Sequence, residues 1–301
     1  EDGNWKLRQW FAQTPDEESE ILSAFLAFAE PYSYLIHYNG NTFDLPFLRK
    51  KADKYGISYT LSSKKGLDIF RRITPYKNFL KLKTIESFLG IHREDIYTGG
   101  QLIQVYHDYT SSHDYDLYHT LLLHNADDMK GMLETLPILS YYDLFNCSIK
   151  ASKAQTNYYN DMHGVPRKEL IIRLIFVSPL PVAISFMGKG CHFKAEGYEG
   201  TLVIPIYEEE LKYYYANYKD YYYLPLEDTA LHKSIASFVD KDYREQATAR
   251  NCYTRKISLY LPQWKVMVEP FFKRDYDSKD LFFELTDDIK KDRQLFSDYA
   301  S

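Results

Sequence analysis

Residues 34–48 read YLIHYNGNTFDLPFL and carry the clearest structural signal in the chain. Tyr34 to Tyr38 is a short apolar segment that predicts a buried strand, and Gly40 and Asn41 follow it as turn residues. A helix is expected from about Leu45 to Tyr55, because Gly56 is a typical residue after a helix end. The pattern therefore places Asp44 where a strand passes into a helix. An aspartate there serves either as a helix cap or as a ligand for a hard metal ion.

A second polar group lies in a long helical segment predicted from Tyr115 to Leu139, as one helix or as a pair. His124, Asp128 and Gly131 recur at i, i+4 and i+7, so they share one face of that helix, and Gly131 leaves room beside the other two. Such a face presents an imidazole and a carboxylate to one site. Asp127 is the alternative in register, and a surface pair that only stabilises the helix is the structural alternative.

Together, the two segments resemble two of the three motifs of the DEDD exonucleases, and are most similar to the YprB-type branch. The resemblance implies an α/β, RNase H-like mixed sheet flanked by helices. It also implies two-metal hydrolysis with Mg²⁺ or Mn²⁺, with Asp44 and Asp128 as ligands and His124 beside the attacking water. The His-x-x-x-Asp spacing departs from that of family members with a catalytic histidine and matches the branch that uses tyrosine. Asn39 and Phe43 would support the terminal nucleotide.

Further segments look like parts of the same family, and one part is not found. Residues 67–72 and 80–91 resemble the corresponding strand and helix, and Asp68 and Glu86 are interpreted as structural. Trp5 to Ala12 predicts a strand. The family's Asp-x-Glu strand is not in this sequence, so we expect an N-terminally truncated domain that lacks its first strands and is inactive as this fragment.

The length of 301 residues favours two domains. We expect an RNase H-like domain over 1–145 and an accessory domain over 146–301. The second part is Tyr-rich, with β-branched runs separated by Gly188, Gly190, Gly197 and Gly200, which predicts an α+β domain with an antiparallel sheet. Its tyrosines, interleaved with basic residues, fit either base stacking or core packing.

Charge is unevenly distributed. The chain carries a net −5, yet residues 45–93 contain 12 Lys and Arg and 3 Asp and Glu, a local excess of +9. Arg49 and Lys50 follow Asp44 directly and are candidate substrate contacts, which makes a single-stranded DNA or RNA end the expected partner. The alternative to a substrate-binding role is that these basic residues form a solvated surface. Three scattered cysteines and no long apolar run favour a cytoplasmic protein that does not enter membranes.

Two functions fit these observations. The first is a metal-dependent 3′→5′ exonuclease that hydrolyses phosphodiester bonds of DNA or RNA. The second is a non-catalytic nucleic-acid-binding or interaction protein on the same fold. The role of residues 146–301 stays open in both.

Overall fold

The computed structural model describes residues 5–74, 81–95 and 97–301, and the chain forms two compact units. The first runs to Asn146 and includes Leu180–Val182, and the second comprises Cys147–Pro179 and Ala183–Ser301. Among the described residues, no helix has the length and apolarity needed to cross a bilayer. Each unit is described separately below.

The first unit is mainly helical around one small sheet. Its helices are α1 (Glu18–Ala29), α2 (Asp44–Tyr55), α3 (Ile69–Ile73), α4 (Leu82–Leu89), α5 (Gly99–Ser112), α6 (Tyr115–Glu134) and α7 (Leu139–Asn146). Strands β1 (Tyr34–His37) and β2 (Lys65–Asp68) pair in parallel, with Tyr34 opposite Lys65 and His37 opposite Asp68. In the described part of this unit the sheet is therefore smaller than the predicted mixed sheet and purely parallel. Its core includes Leu22, Leu26, Ala52 and Leu61.

The segment from Trp5 to Ala12 was predicted as a strand, and that prediction is wrong. These residues lie in no strand or helix. The Trp10 ring instead packs against Phe25 and Phe28, with ring centroids 5.5 and 5.0 Å apart. Gln9 donates from Nε2 to the Leu122 carbonyl at 2.9 Å. Side-chain packing on helices thus replaces the strand pairing that the apolar pattern suggested.

A 3₁₀ turn at Pro15–Glu17 leads into α1, which continues to Ala29. Other elements are confirmed predictions. Helix α2 ends at Tyr55, and the Gly56 that follows it has φ = 65°. The segment predicted from Tyr115 to Leu139 consists of α6, which ends at Glu134, and a 3₁₀ turn at Leu136–Ile138; α7 begins only at Leu139. Helix α5 was not predicted.

The second unit contains two sheets. Its strands are β3 (Lys150–Asn160), β4 (Pro166–Gly188), β5 (Cys191–Tyr214), β6 (Tyr221–Leu224), β7 (Thr229–His232), β8 (Glu245–Gln246), β9 (Tyr253–Gln263), β10 (Phe271–Phe272) and β11 (Leu281–Glu284). The sheet orders are β10-β11-β9-β5-β4-β3 and β7-β6-β8. Short helices α8 (Lys233–Ala236), α9 (Asp287–Lys291) and α10 (Arg293–Ala300) complete the unit. The pairs β3–β4, β5–β9 and β9–β11 are antiparallel, as predicted.

The glycines of this unit have two different roles. Lys189 and Gly190 connect β4 to β5, and their φ angles of 50° and 78° are those of a tight hairpin turn. Gly197 and Gly200 were also predicted as turn residues, but both lie inside β5. At Gly200 a Cβ would come within 2.4 Å of the Phe176 ring, so this glycine makes room for an aromatic side chain.

Several tyrosines of this unit pack into its core. Tyr215, Tyr218, Tyr221 and Tyr223 lie against a buried group formed by Ala230, Ala247 and Cys252. The Tyr215 and Tyr221 rings stack with centroids 4.4 Å apart. For these four residues the packing interpretation of the tyrosine pattern therefore applies.

Candidate active site

The turn after β1 is fixed by a buried aspartate. Asp68 Oδ1 accepts the Asn39 backbone N–H at 2.9 Å, and Asp68 Oδ2 accepts the Asn41 side-chain amide at 3.1 Å. Asn39 has φ = 56°, a left-handed conformation that asparagine adopts more readily than most residues. A Cβ at Gly40 would lie 3.0 Å from the His37 ring, so a larger residue there would press on that ring. These contacts set the direction in which the chain enters α2.

Asp44 is the first residue of α2 and is exposed. Within the described residues its carboxylate makes no hydrogen bond and no ion pair, and the flanking residue at the helix start is Phe43. Phe43 is 69% exposed and stacks on Phe47 with ring centroids 6.3 Å apart. Asp44 thus has both carboxylate oxygens available to a ligand, beside an aromatic surface.

His124 and Asp128 meet on α6, as their spacing predicted. His124 Nε2 lies 3.4 Å from Asp128 Oδ2. The other ring nitrogen, Nδ1, lies 2.7 Å from Oδ2 of Asp95, whose side chain is 1% exposed. A carboxylate can only accept a hydrogen bond, so Nδ1 carries a proton. In the neutral ring Nε2 then keeps its lone pair.

Arg93 joins this pair to other carboxylates. Its Nη1 donates to both oxygens of Glu86 at 3.0 and 3.1 Å, and its Nη2 donates to Asp128 Oδ1 at 2.6 Å. Burial by itself would lower the pKa of Arg93, but the hydrogen bonds that it donates to Asp128 and Glu86 outweigh that effect and raise the pKa. Arg93 is therefore a fixed positive charge between the carboxylates.

Asp127 has a different role from its neighbour. It is buried, and its Oδ2 accepts the backbone N–H groups of Glu94 and Asp95 at 3.1 and 2.9 Å. Asp127 thereby holds the 92–95 loop against α6. The loop in turn presents Arg93 to Asp128 and Asp95 to His124.

Gly131 leaves space on α6, but not for a ligand. A Cβ at this position would lie 1.8 Å from Glu86 Oε1. Glu86 is 1% exposed and its charge is compensated by Arg93. The predicted gap in the helix face is therefore filled by the buried Glu86–Arg93 pair.

Asp95 is strongly stabilised as a carboxylate. Burial would raise its pKa, but hydrogen bonds from the Tyr97 backbone, His124 and Lys83 outweigh burial and lower the pKa to about 2. Lys83 Nζ lies 3.1 Å from Asp95 Oδ2. Asp95 consequently keeps its negative charge and its hold on His124 throughout the ordinary pH range.

The described residues do not by themselves fit a two-metal centre. No group of three or more His, Cys, Asp or Glu side chains within 5–74, 81–95 and 97–301 is arranged to hold a metal ion. Asp128 is already bound to a guanidinium, and Asp44 contacts neither Asp128 nor His124 by any hydrogen bond or ion pair in the described part of the chain. Two carboxylates are too few for a pair of Mg²⁺ or Mn²⁺ ions.

The other predicted substrate contacts lie near Asp44. Arg49 is exposed on α2 and its guanidinium lies 5.0 Å from the Tyr59 ring centroid. Lys50 is exposed on the same helix. Sequence reasoning did not identify Arg93 or Asp95, and the only local signal was the charged run His92 to Asp95 directly after α4.

Comparison with known proteins gives one relationship. Residues 1–137 match the RNase_H_2 family model, which belongs to the RNase H superfamily. No curated protein and no solved structure matches the chain.

Proposed function

From the match of residues 1–137 to the RNase H superfamily, we propose that this region acts on nucleic acid as the nuclease domain of a metal-dependent 3′→5′ exonuclease. In this proposal Asp44 and Asp128 would be metal ligands, and His124 would lie beside the attacking water. Asn39, Phe43, Arg49 and Lys50 hold the nucleic-acid end. Ligands beyond the described residues are then required, because two carboxylates do not hold two ions.

The observation that carries the proposal is the Asp95–His124–Asp128 arrangement. Asp95 fixes the His124 ring from one side, so that Nε2 faces the half-exposed Asp128. A histidine held in this way can take a proton from a water molecule, because its free nitrogen is oriented and its other nitrogen is tied to a carboxylate. A surface pair that only stabilises a helix needs no buried aspartate behind the ring.

A second function, binding of nucleic acid without hydrolysis, is favoured by Arg93. Its guanidinium forms ion pairs with both Asp128 and Glu86. A carboxylate cluster neutralised internally keeps its structure without a cation, and the basic residues after Asp44 then supply the binding surface.

The test is degradation of 3′-labelled and 5′-labelled single-stranded DNA and RNA with added Mn²⁺. Three proteins are compared: the chain as printed, the chain with any natural upstream sequence restored, and the Asp128→Asn variant of the active form. We expect Asp128→Asn to reduce cleavage by at least about a hundredfold while the unfolding midpoint changes little. Glu134→Gln is the matched control, since Glu134 is exposed on the same helix.

The labels separate the outcomes. Loss of the 3′ label before the 5′ label supports the stated polarity. Cleavage that survives Asp128→Asn removes Asp128 from the site. If no form cleaves either nucleic acid but binding persists, the non-catalytic function is correct.

A further inference from the structure

A cavity of the first unit lies beside the turn after β1 and has no assigned role. Its volume is about 370 Å³, which is in the range of small-ligand sites. The polar residues that line it are His37, Asn41, Arg49, Tyr59, Ser62 and Lys64. Among the residues that the structure describes, no Asp or Glu lines it.

His37 supplies the first argument, through the position of its ring proton. The Gly40 backbone N–H donates to His37 Nδ1 at 3.1 Å, so Nδ1 accepts and the proton of the ring lies on Nε2. Nε2 is buried and has no hydrogen-bond partner among the described residues. Gly66 also lines the cavity, and a Cβ there would be 3.5 Å from Nε2. A buried N–H donor that lacks an acceptor thus lies at the cavity wall with no side chain from Gly66 to cover it.

Arg49 and Lys64 supply the second argument, because their charges are not compensated. Within the part of the chain that the structure describes, neither forms an ion pair, whereas Lys51 on the same helix pairs with Glu18. The Arg49 guanidinium lies over the Tyr59 ring, and the Tyr59 hydroxyl is anchored on the Leu45 carbonyl at 3.1 Å. Lys64 Nζ donates to the Glu30 carbonyl at 2.6 Å and keeps two further donors.

We propose that this cavity binds a phosphate group, with Arg49 and Lys64 supplying the charge and His37 Nε2 a hydrogen bond. Over the described residues, the cavity has two cations without an ion pair, one unsatisfied donor and no lining carboxylate, and such a lining is complementary to an oxyanion. Arg49 is suited to a bidentate contact, since its ring contact with Tyr59 orients the guanidinium plane.

The position of the cavity indicates which molecule carries the phosphate group, namely a nucleic acid. Leu45 and Pro46, the two residues after Asp44, line it. A phosphate held there lies at the first turn of α2, whose first residue is Asp44. This assignment to a nucleic-acid phosphate rests on the proposed function, whereas the binding of phosphate itself does not.

The experiment measures binding of inorganic phosphate, thymidine 5′-monophosphate and a single-stranded oligonucleotide in EDTA, so that cleavage plays no part. We expect Arg49→Gln to weaken binding of all three about tenfold, the loss of one charge-assisted contact. Lys54→Gln is the control, because it removes one charge from the same helix outside the cavity. A shift of the His37 Nε2–H resonance on addition of phosphate is expected as an independent readout.

Each outcome decides one claim. Equal weakening by Arg49→Gln and Lys54→Gln, or no His37 shift with bound phosphate, overturns the cavity as the site. If inorganic phosphate binds tightly and the oligonucleotide does not bind, the cavity is a phosphate site, but the phosphate is not that of a nucleic acid. Phosphate binding without cleavage in any form keeps the site and refutes the exonuclease.

Discussion

At the level of single residues, Gly131 shows how closely α6 approaches the buried Glu86. Gly131→Ala would place a methyl group 1.8 Å from Glu86 Oε1 and force the carboxylate away from Arg93. Disrupting a buried ion pair is costly, so we expect the free energy of unfolding to fall by about 3 kcal/mol. Urea denaturation measures this change.

The control for Gly131 is another helical glycine. At Gly100 in α5 a Cβ would meet no atom within 4 Å. Gly100→Ala should therefore stabilise the protein by about 0.5 kcal/mol, because alanine restricts the unfolded chain. Equal effects at both positions would show that Glu86 does not occupy the space beside α6.

Asp95 leads to a prediction about pH. Its pKa in the folded protein is about 2, below the ordinary 3.8, so its charge stabilises the fold above pH 4. This stabilisation is lost as the pH falls from about 4 to about 2, and it amounts to about 2 kcal/mol. The difference in unfolding free energy between wild type and Asp95→Asn should shrink by that amount over this window. A constant difference would contradict the lowered pKa.

At the level of elements, the β4–β5 hairpin depends on its two-residue turn. Gly190 has φ = 78°, which strains any residue with a Cβ, so Gly190→Ala should cost about 1 kcal/mol of stability. Gly188→Ala is the control, because Gly188 is the last residue of β4 and does not have a positive φ. Thermal unfolding of both variants tests the difference, and similar midpoints would rule out a turn at Lys189 and Gly190.

The elements also show what the sequence could predict. The helix expected within residues 80–91 is present as Leu82–Leu89, and its apolar spacing and the following Gly90 are both local signals. Helix α5 was missed because it begins with two glycines, although Thr98 and Gln101 form a capping box that marks its start. Residues Trp5–Ala12 have the apolar pattern of a strand, but they pair with no other strand among the described residues, so the strand prediction was wrong.

The candidate site also has some contacts that the sequence predicts and others that it does not. His124 and Asp128 are four residues apart on one helix, so their proximity follows from helical geometry. Arg93 reaches Asp128 across 35 positions, and Asp127 holds the loop through two backbone bonds. No periodic pattern encodes such contacts. The roles of Asp44, Asp128 and His124 in catalysis stay predictions.

At the level of the whole molecule, net charge and local charge have opposite signs. A chain with net −5 repels nucleic acid at long range, while residues 45–93 carry +9. Binding of a single-stranded oligonucleotide should therefore be local and salt-dependent. We expect affinity to fall about tenfold or more between 50 and 200 mM salt, as measured by fluorescence anisotropy. Affinity that does not change with salt would exclude phosphate contacts as its source.

The hydrogen bond from Gly40 to His37 also bears on the chemical ageing of the protein. Asn-Gly sequences deamidate when the glycine nitrogen attacks the asparagine side chain and closes a five-membered imide. At Asn39 the Gly40 nitrogen is held by His37 Nδ1, and the Asn39 N–H is held by Asp68. The folded turn therefore keeps Asn39 from cyclising, whereas the unfolded chain has no such protection. Conversion to aspartate would bring a second carboxylate close to Asp68, so an aged sample would lose the turn that precedes Asp44.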